Sequence, residues 1–149
     1  MMKDRVSAGF IGGIIAGIAM NVVDYFLHFI NFDLEHLYDW AAVALYGRVS
    51  NTLFESIFAQ IGQLFFAGLL GIIFSIFLLK LTSGNYLLKG WLYGITTWFF
   101  LYAMAIALKL PSLENHSLNS VFSHFLSATV YGLVLTEVLH RINNNSKRV

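Results

Sequence analysis

The chain is 149 residues long, 58% hydrophobic and 16% aromatic, with 11% charged residues and a formal net charge of +1. Soluble domains carry about 25% charged residues, so the composition points to a one-domain integral membrane protein and away from a nucleic-acid binder or a disordered chain. The absence of cysteine excludes disulfides, thiolate metal sites, iron–sulfur clusters and cysteine nucleophiles.

The first apolar stretch, about Val6 to Ile30, is long enough to cross a hydrocarbon core, which takes about 20 helical residues. Met1 to Arg5 ahead of it resembles the start of a signal peptide. The apolar run outlasts the usual ~7–15 residues, however, and no small-residue cleavage site closes it, so it reads as an uncleaved span. At ~100° per residue, Gly9, Gly13, Gly17, Asn21, Asp24, His28 and Asn31 share one helical face. The glycines let another helix approach. An ionisable group at membrane depth costs about 2.5–3.5 kcal/mol and marks a functional site by default.

The first loop is patterned as well. Leu34, Leu37, Tyr38, Ala41, Ala42 and Leu45 recur at helical spacing between Asp33 and Tyr46, which predicts a short amphipathic helix on the outer surface. Tyr38, Trp40 and Tyr46 are then expected at headgroup level. A plain surface connection is the other reading. Gly47 is the expected stop, and Ser50-Asn51-Thr52 the expected cap of the next helix, with Glu55 in its first turn.

Three more spans follow, at about Ile57 to Leu79, Tyr86 to Leu108 and Val121 to Leu139. Each has a small or polar face: Gln60, Gln63, Ala67, Gly71 and Ser75; then Gly90, Gly94 and Thr97; then Ser120, His124, Ser127 and Tyr131. Membrane helices meet through such faces and turn Leu, Ile, Phe and Val to lipid. The predicted fold is all-α, an integral membrane antiparallel four-helix bundle with a short amphipathic interfacial helix in the first outer loop.

Charge sets the orientation. Lys3, Arg5, Lys80, Lys89, Arg141, Lys147 and Arg148, seven of the nine basic residues, fall on one side of the predicted spans. The first loop instead carries Asp33, Glu35, Asp39 and Glu55 against Arg48, and the third carries Lys109 and Glu114. By the positive-inside rule, both termini are cytoplasmic.

With that topology Asn21, Asp24, His28, Gln60, Gln63 and His124 fall in the outer half and Tyr131 near the middle, beneath a loop that contains His36. The expectation is an outward-facing polar pocket that binds a small ligand or ion. Asp24 and His28, four residues apart, can share a metal ion that His124 or Glu55 completes. His28 and His124 on neighbouring helices can flank a haem. Alternatively, the cluster handles protons or a lipid headgroup, quinone or small solute. The plainer reading is packing: close approach at the glycines and interhelical hydrogen bonds at Gln60, Gln63, Ser120 and Ser127.

Enzyme signatures are absent: the chain has no Gly-x-Ser-x-Gly elbow, phosphate-binding glycine loop or His-Glu-x-x-His motif. The expected role is therefore a non-enzymatic accessory, stress-related or assembly factor that needs no cofactor, in contact with the lipid bilayer and with a second copy or another membrane protein. The alternative is a metal- or proton-dependent transporter or membrane enzyme using Asp24, His28 and His124. Gly9-Phe-Ile-Gly-Gly13, Lys89-Gly-Trp-Leu-Tyr-Gly94 with Trp98, Pro111 and Tyr131-Gly132 resemble the small four-helix bacterial membrane proteins of the YqhR type and, more loosely, the YagU-like proteins. The resemblance implies a bacterial cytoplasmic-membrane protein of unassigned biochemical activity, with an association with acid resistance among YagU-like members. Asp24, His28 and the Asp33–Asp39 segment have no counterpart in that pattern, so it transfers no site residues.

Overall fold

The computed structural model describes residues 4–33, 35–77, 84–110 and 117–145. Leu34, the end of the second predicted span, Lys3, Lys80, Pro111, Glu114, Lys147 and Arg148 lie outside the described residues. The described residues form five helices: α1 (Arg5–Phe29), α2 (Leu37–Tyr46), α3 (Leu53–Phe77), α4 (Tyr86–Ala107) and α5 (Leu118–Asn145).

Local chemistry sets the helix ends. Asp4 caps α1 by accepting the Val6 and Ser7 N–H groups at 3.0 and 3.1 Å. Asn31 ends it in the left-handed region at φ 55°, where asparagine is better tolerated than most residues, and Phe32 N–H returns to the Leu27 carbonyl at 3.0 Å. The Asp39 carboxylate accepts the His36 N–H at 2.9 Å to open α2, and Gly47 closes it at φ 71° as expected. α3 begins at Leu53, four residues ahead of the expected Ile57. There Thr52 Oγ1 accepts the Glu55 N–H at 3.2 Å and the Glu55 carboxylate accepts the Asn51 N–H at 2.8 Å. Ser117 does the same for α5, accepting the Ser120 N–H at 3.1 Å.

α1 packs on α3 and α5, α4 on α5, and α2 on α3. Along α1 the partners on α3 step backwards: Gly9 lies against Gly71 and Ser75, Gly13 against Ala67 and Gly68, and Asn21 against Gln63. A Cβ on Gly13 would run into the Ala67 carbonyl, and one on Gly132 into the Gly90 carbonyl, so the α1–α3 and α4–α5 seams are backbone against backbone. Between them Ala16, Ala67, Phe74, Tyr131, Leu135 and Leu139 form the main core. α3 and α4 touch where the Tyr93 hydroxyl donates to the Leu70 carbonyl at 2.7 Å and its ring meets Phe74 at 4.8 Å.

The outward faces are apolar. Phe29, Leu53 and Phe54 are each more than three-quarters exposed, and Val22, Phe26, Phe99 and Phe100 more than half. Four helices, α1, α3, α4 and α5, are long and apolar enough to span a membrane, and a bilayer is the environment that covers such a surface.

Candidate functional site

The polar residues sort into three contacts at the α2 end of the molecule. In the first, Asn21 donates its amide to Gln63 Oε1 at 3.0 Å, Gln60 donates to the same oxygen at 2.9 Å, and the Tyr25 hydroxyl reaches Gln60 at 2.8 Å. The expected convergence of Asn21, Gln60 and Gln63 is present, as a hydrogen-bonded seam between α1 and α3.

The second contact is built on Asp24, which is almost fully buried. Its expected partner was His28, one turn along α1. The carboxylate instead turns to the start of α2, where His36 Nδ1 lies 3.2 Å from Oδ2 and the Leu37 N–H donates to the same oxygen at 3.3 Å. A helix N-terminus and a histidine outside the span satisfy a buried carboxylate better than a neighbour on its own helix, because they bring two donors and the dipole of α2. The His28 and His36 rings meet at a tilt with centroids 3.9 Å apart, and Tyr38 stacks on His36 at 4.9 Å. The Asp24 carboxylate holds His36 above the ordinary histidine pKa; burial opposes this, and the charges of Asp24, Asp39 and Asp33 add to it. Burial raises the Asp39 carboxyl at the same helix start.

The third contact joins the α1–α2 connection to α5 and α4. Asp33, charged and in the first loop by sequence, is 2% exposed. Its carboxylate accepts the Ser120 hydroxyl at 2.7 Å and the Glu35 N–H at 3.1 Å, and lies 3.7 Å from His124 Nε2. Burial works against its ionisation, but the Ser120 and Glu35 hydrogen bonds and the His124 charge outweigh it and hold Asp33 below the usual carboxylate pKa. On the other face of the imidazole, Nδ1 is 2.6 Å from the Tyr102 hydroxyl.

The two remaining sequence candidates are elsewhere. Glu55 forms a two-pronged pair with Arg48 at 2.9 and 3.0 Å, at the rim. Tyr131 is buried and donates its hydroxyl to the Ala67 carbonyl at 2.6 Å. Asp24, His28, Glu55 and His124 are thus distributed over three different contacts rather than gathered at one point. Among the described residues, no group of three or more His, Asp or Glu is placed to hold a metal ion. The His28 and His124 rings belong to two different clusters.

Beneath α2 is a cavity of about 390 Å³, more than twice the ~150 Å³ that suffices for benzene in an engineered apolar cavity. α2 roofs it with Leu37, Trp40, Ala41 and Ala44, while α3 and α4 form facing walls from Gly62 to Leu70 and from Gly94 to Ala105. The roof is fastened where Val43 packs on Ala105 and the Trp40 ring meets Tyr102 at a tilt, centroids 4.7 Å apart. Trp40, expected at headgroup level, thus faces inward. The lining is almost wholly carbon, although Gln63, His124 and Tyr131 contribute to it. The cavity lies at the α2 end beside Gln63, His124 and Tyr131, but it is apolar where the sequence suggests a polar pocket, because the hydrogen-bonding atoms of those side chains bond within the protein.

Asp33, Tyr102 and the roof were beyond the reach of the sequence. Asp33 reads as one more loop acid, and Tyr102 as one of many aromatics on α4. The only hint is that Tyr102 shares the helical face of Trp98, one turn away.

No protein-family model, no curated protein and no solved structure matches the chain. The geometry carries the functional reading.

Proposed function

We propose that the chain is a small multi-pass protein of the bacterial cytoplasmic membrane, an antiparallel four-helix bundle with cytoplasmic termini, that holds an apolar ligand from the bilayer in the cavity beneath α2. Its role is that of a non-enzymatic accessory, stress-related or assembly factor. The observation that carries this reading is the cavity itself: about 390 Å³, roofed by a dedicated helix and lined almost wholly by carbon. Ligand pockets have this size and lining, whereas close-packed interiors leave few voids larger than water. The backward-stepping contacts between α1 and α3 support the antiparallel arrangement. The one-sided distribution of Lys and Arg supports the orientation.

Native mass spectrometry of the purified protein tests the reading. A retained lipophilic adduct is expected, and its loss in Ala44→Phe, which fills the cavity from the roof. A wild-type chain that retains no adduct under the gentlest release conditions would overturn it. Orientation is testable because the chain lacks cysteine. An impermeant maleimide should label Val49→Cys in intact cells and leave Gly84→Cys unlabelled.

A further inference from the structure

We infer that the cavity takes one linear hydrocarbon chain, entering sideways between α3 and α4 and leaving its polar end outside. This rests on the ligand-holding reading above and adds the class of occupant and its route.

The first argument is chemical. The polar ends of Tyr131, Gln63, Tyr102 and His124 are taken up by protein neighbours, and the Trp98 indole N–H, buried without a partner, is the exception. The Tyr131 hydroxyl goes to the Ala67 carbonyl, the Gln63 oxygen receives Asn21 and Gln60, and Tyr102 and His124 meet each other at 2.6 Å. A headgroup brought inside would lose its hydration and recover at most the Trp98 hydrogen bond, at about 1–3 kcal/mol per polar group left unpaired. A hydrocarbon meets no such cost, and each buried methylene contributes about 0.8 kcal/mol.

The second argument is shape. The walls run along the helix axes for about 12 Å on α3 and about 16 Å on α4 at 1.5 Å per residue, which makes the cavity a slot parallel to the bundle. At its inner end the Tyr93–Leu70 hydrogen bond and the Phe74–Tyr93 ring contact close α3 onto α4. Three lining residues are also exposed on the outside, Phe66 midway along the α3 wall and Leu45 and Met104 towards the other end, at 45%, 49% and 41%. The mouth therefore opens sideways between α3, α4 and the end of α2, where a lipid tail lies parallel to the slot.

Two of the three tryptophans, Trp40 and Trp98, line the cavity, so their quenching reports an occupant. In a Trp91→Phe background, purified protein in maltoside micelles is titrated with a bromine-ended alkane, the bromine-ended fatty acid of equal length, and a phosphatidylcholine with brominated chains, each expressed as mole fraction in the micelle. Saturable quenching by the alkane and the fatty acid with affinities within threefold of each other is expected, and its loss in both Ala41→Phe and Ala44→Phe. Saturation by the phosphatidylcholine as well identifies a phospholipid tail as a source; saturation by the single-chain probes alone identifies a free chain. A fatty acid that binds tenfold or more tighter than the alkane would show that a head is recognised inside, overturning the inference while leaving the cavity reading standing. No saturation by any probe, with wild type and both variants alike, would remove both.

Discussion

The two ends of this bundle are built from the same helices by opposite means. At the end where α1 begins, glycines bring α1 onto α3 and α4 onto α5 until backbone meets backbone, and a Cβ at Gly9 would sit 2.7 Å from the Gly71 carbonyl. At the α2 end, Trp40, Phe66, Trp98 and Tyr102 stand between the helices, and the buried polar groups lie at the margins. One end gains stability from contact between small residues; the other spends side-chain volume on walls around a void. In lipid, helix association depends on packing and hydrogen bonds rather than on water exclusion, so a void must be compensated by tight seams elsewhere.

The most severe way to break this contrast is to put a methyl group into the tight end. In Gly132→Ala the new Cβ meets the Gly90 carbonyl and main-chain atoms of Gly94, none of which is the free end of a flexible side chain. The helices must separate along the seam, at a cost of about 3 kcal/mol. Thermal unfolding in detergent measures it; an unchanged midpoint would show that the seam is looser than described.

Removing a buried acid at the other end ranks second. Asp33→Ala deprives the Ser120 hydroxyl and the Glu35 N–H of their acceptor and His124 of its counter-charge. The expected loss is about 2 kcal/mol at neutral pH, with Asp33→Asn retaining part of it. Because Asp33 lies below its ordinary pKa in the folded state, its contribution is present above the unfolded carboxylate value and is lost as pH falls through the lower folded value. Unfolding of wild type and Asp33→Asn compared across the acid range checks the sign: the difference between them should shrink as pH falls.

These two residues also mark how far the sequence was legible. Half of the Gly132 seam is legible: Gly90 and Gly94, four residues apart, mark a small face on α4, but that Gly132 is the residue meeting them is seen only in the structure. Helix number and type followed from hydropathy, and the Gly47 and Thr52 ends from capping chemistry. Asp24 stands out as an acid in an apolar span, but the sequence points to His28 as its partner and the structure gives it His36 and Leu37 instead. The i, i+4 rule identifies neighbours on one helix and is blind to a chain that folds back and presents His36 and the Leu37 N–H from outside the span. Asp33 was missed for a related reason: one sequence does not tell a solvated loop acid from one that the connection tucks against α5.

The roof itself is the third target. His36 touches Asp24, Tyr25 and His28 from α1 and Tyr38 on α2, and feels the charges of Asp33 in the connection and Asp39 on α2. A histidine whose folded pKa is raised stabilises fully below its unfolded pKa, and that contribution is lost as pH rises through the folded value. α2 should therefore loosen on going from about pH 6 to about pH 8, by about 1.5 kcal/mol at most for the His36–Asp24 hydrogen bond. Hydrogen exchange across Leu37–Tyr46, corrected for intrinsic rates, measures it. His36→Phe keeps the ring contacts and should remove most of the pH dependence; a variant that retained it in full would overturn the assignment to His36.

The smallest effect sharpens the comparison. Gly62 is on α3 within the cavity wall, and a Cβ there meets nothing tighter than the Leu45 Cδ1 at 3.3 Å. That carbon is the end of a flexible, half-exposed side chain, so it can turn aside. Glycine in a helix interior costs about 0.5–1 kcal/mol relative to alanine, and this gain offsets the crowding. Gly62→Ala should therefore leave stability unchanged within about 0.5 kcal/mol or raise it slightly, where the same substitution at Gly132 is among the most damaging in the chain. If the two variants behaved alike, glycine would be a general helix weakness here, and the division into a tight end and an open end would fail.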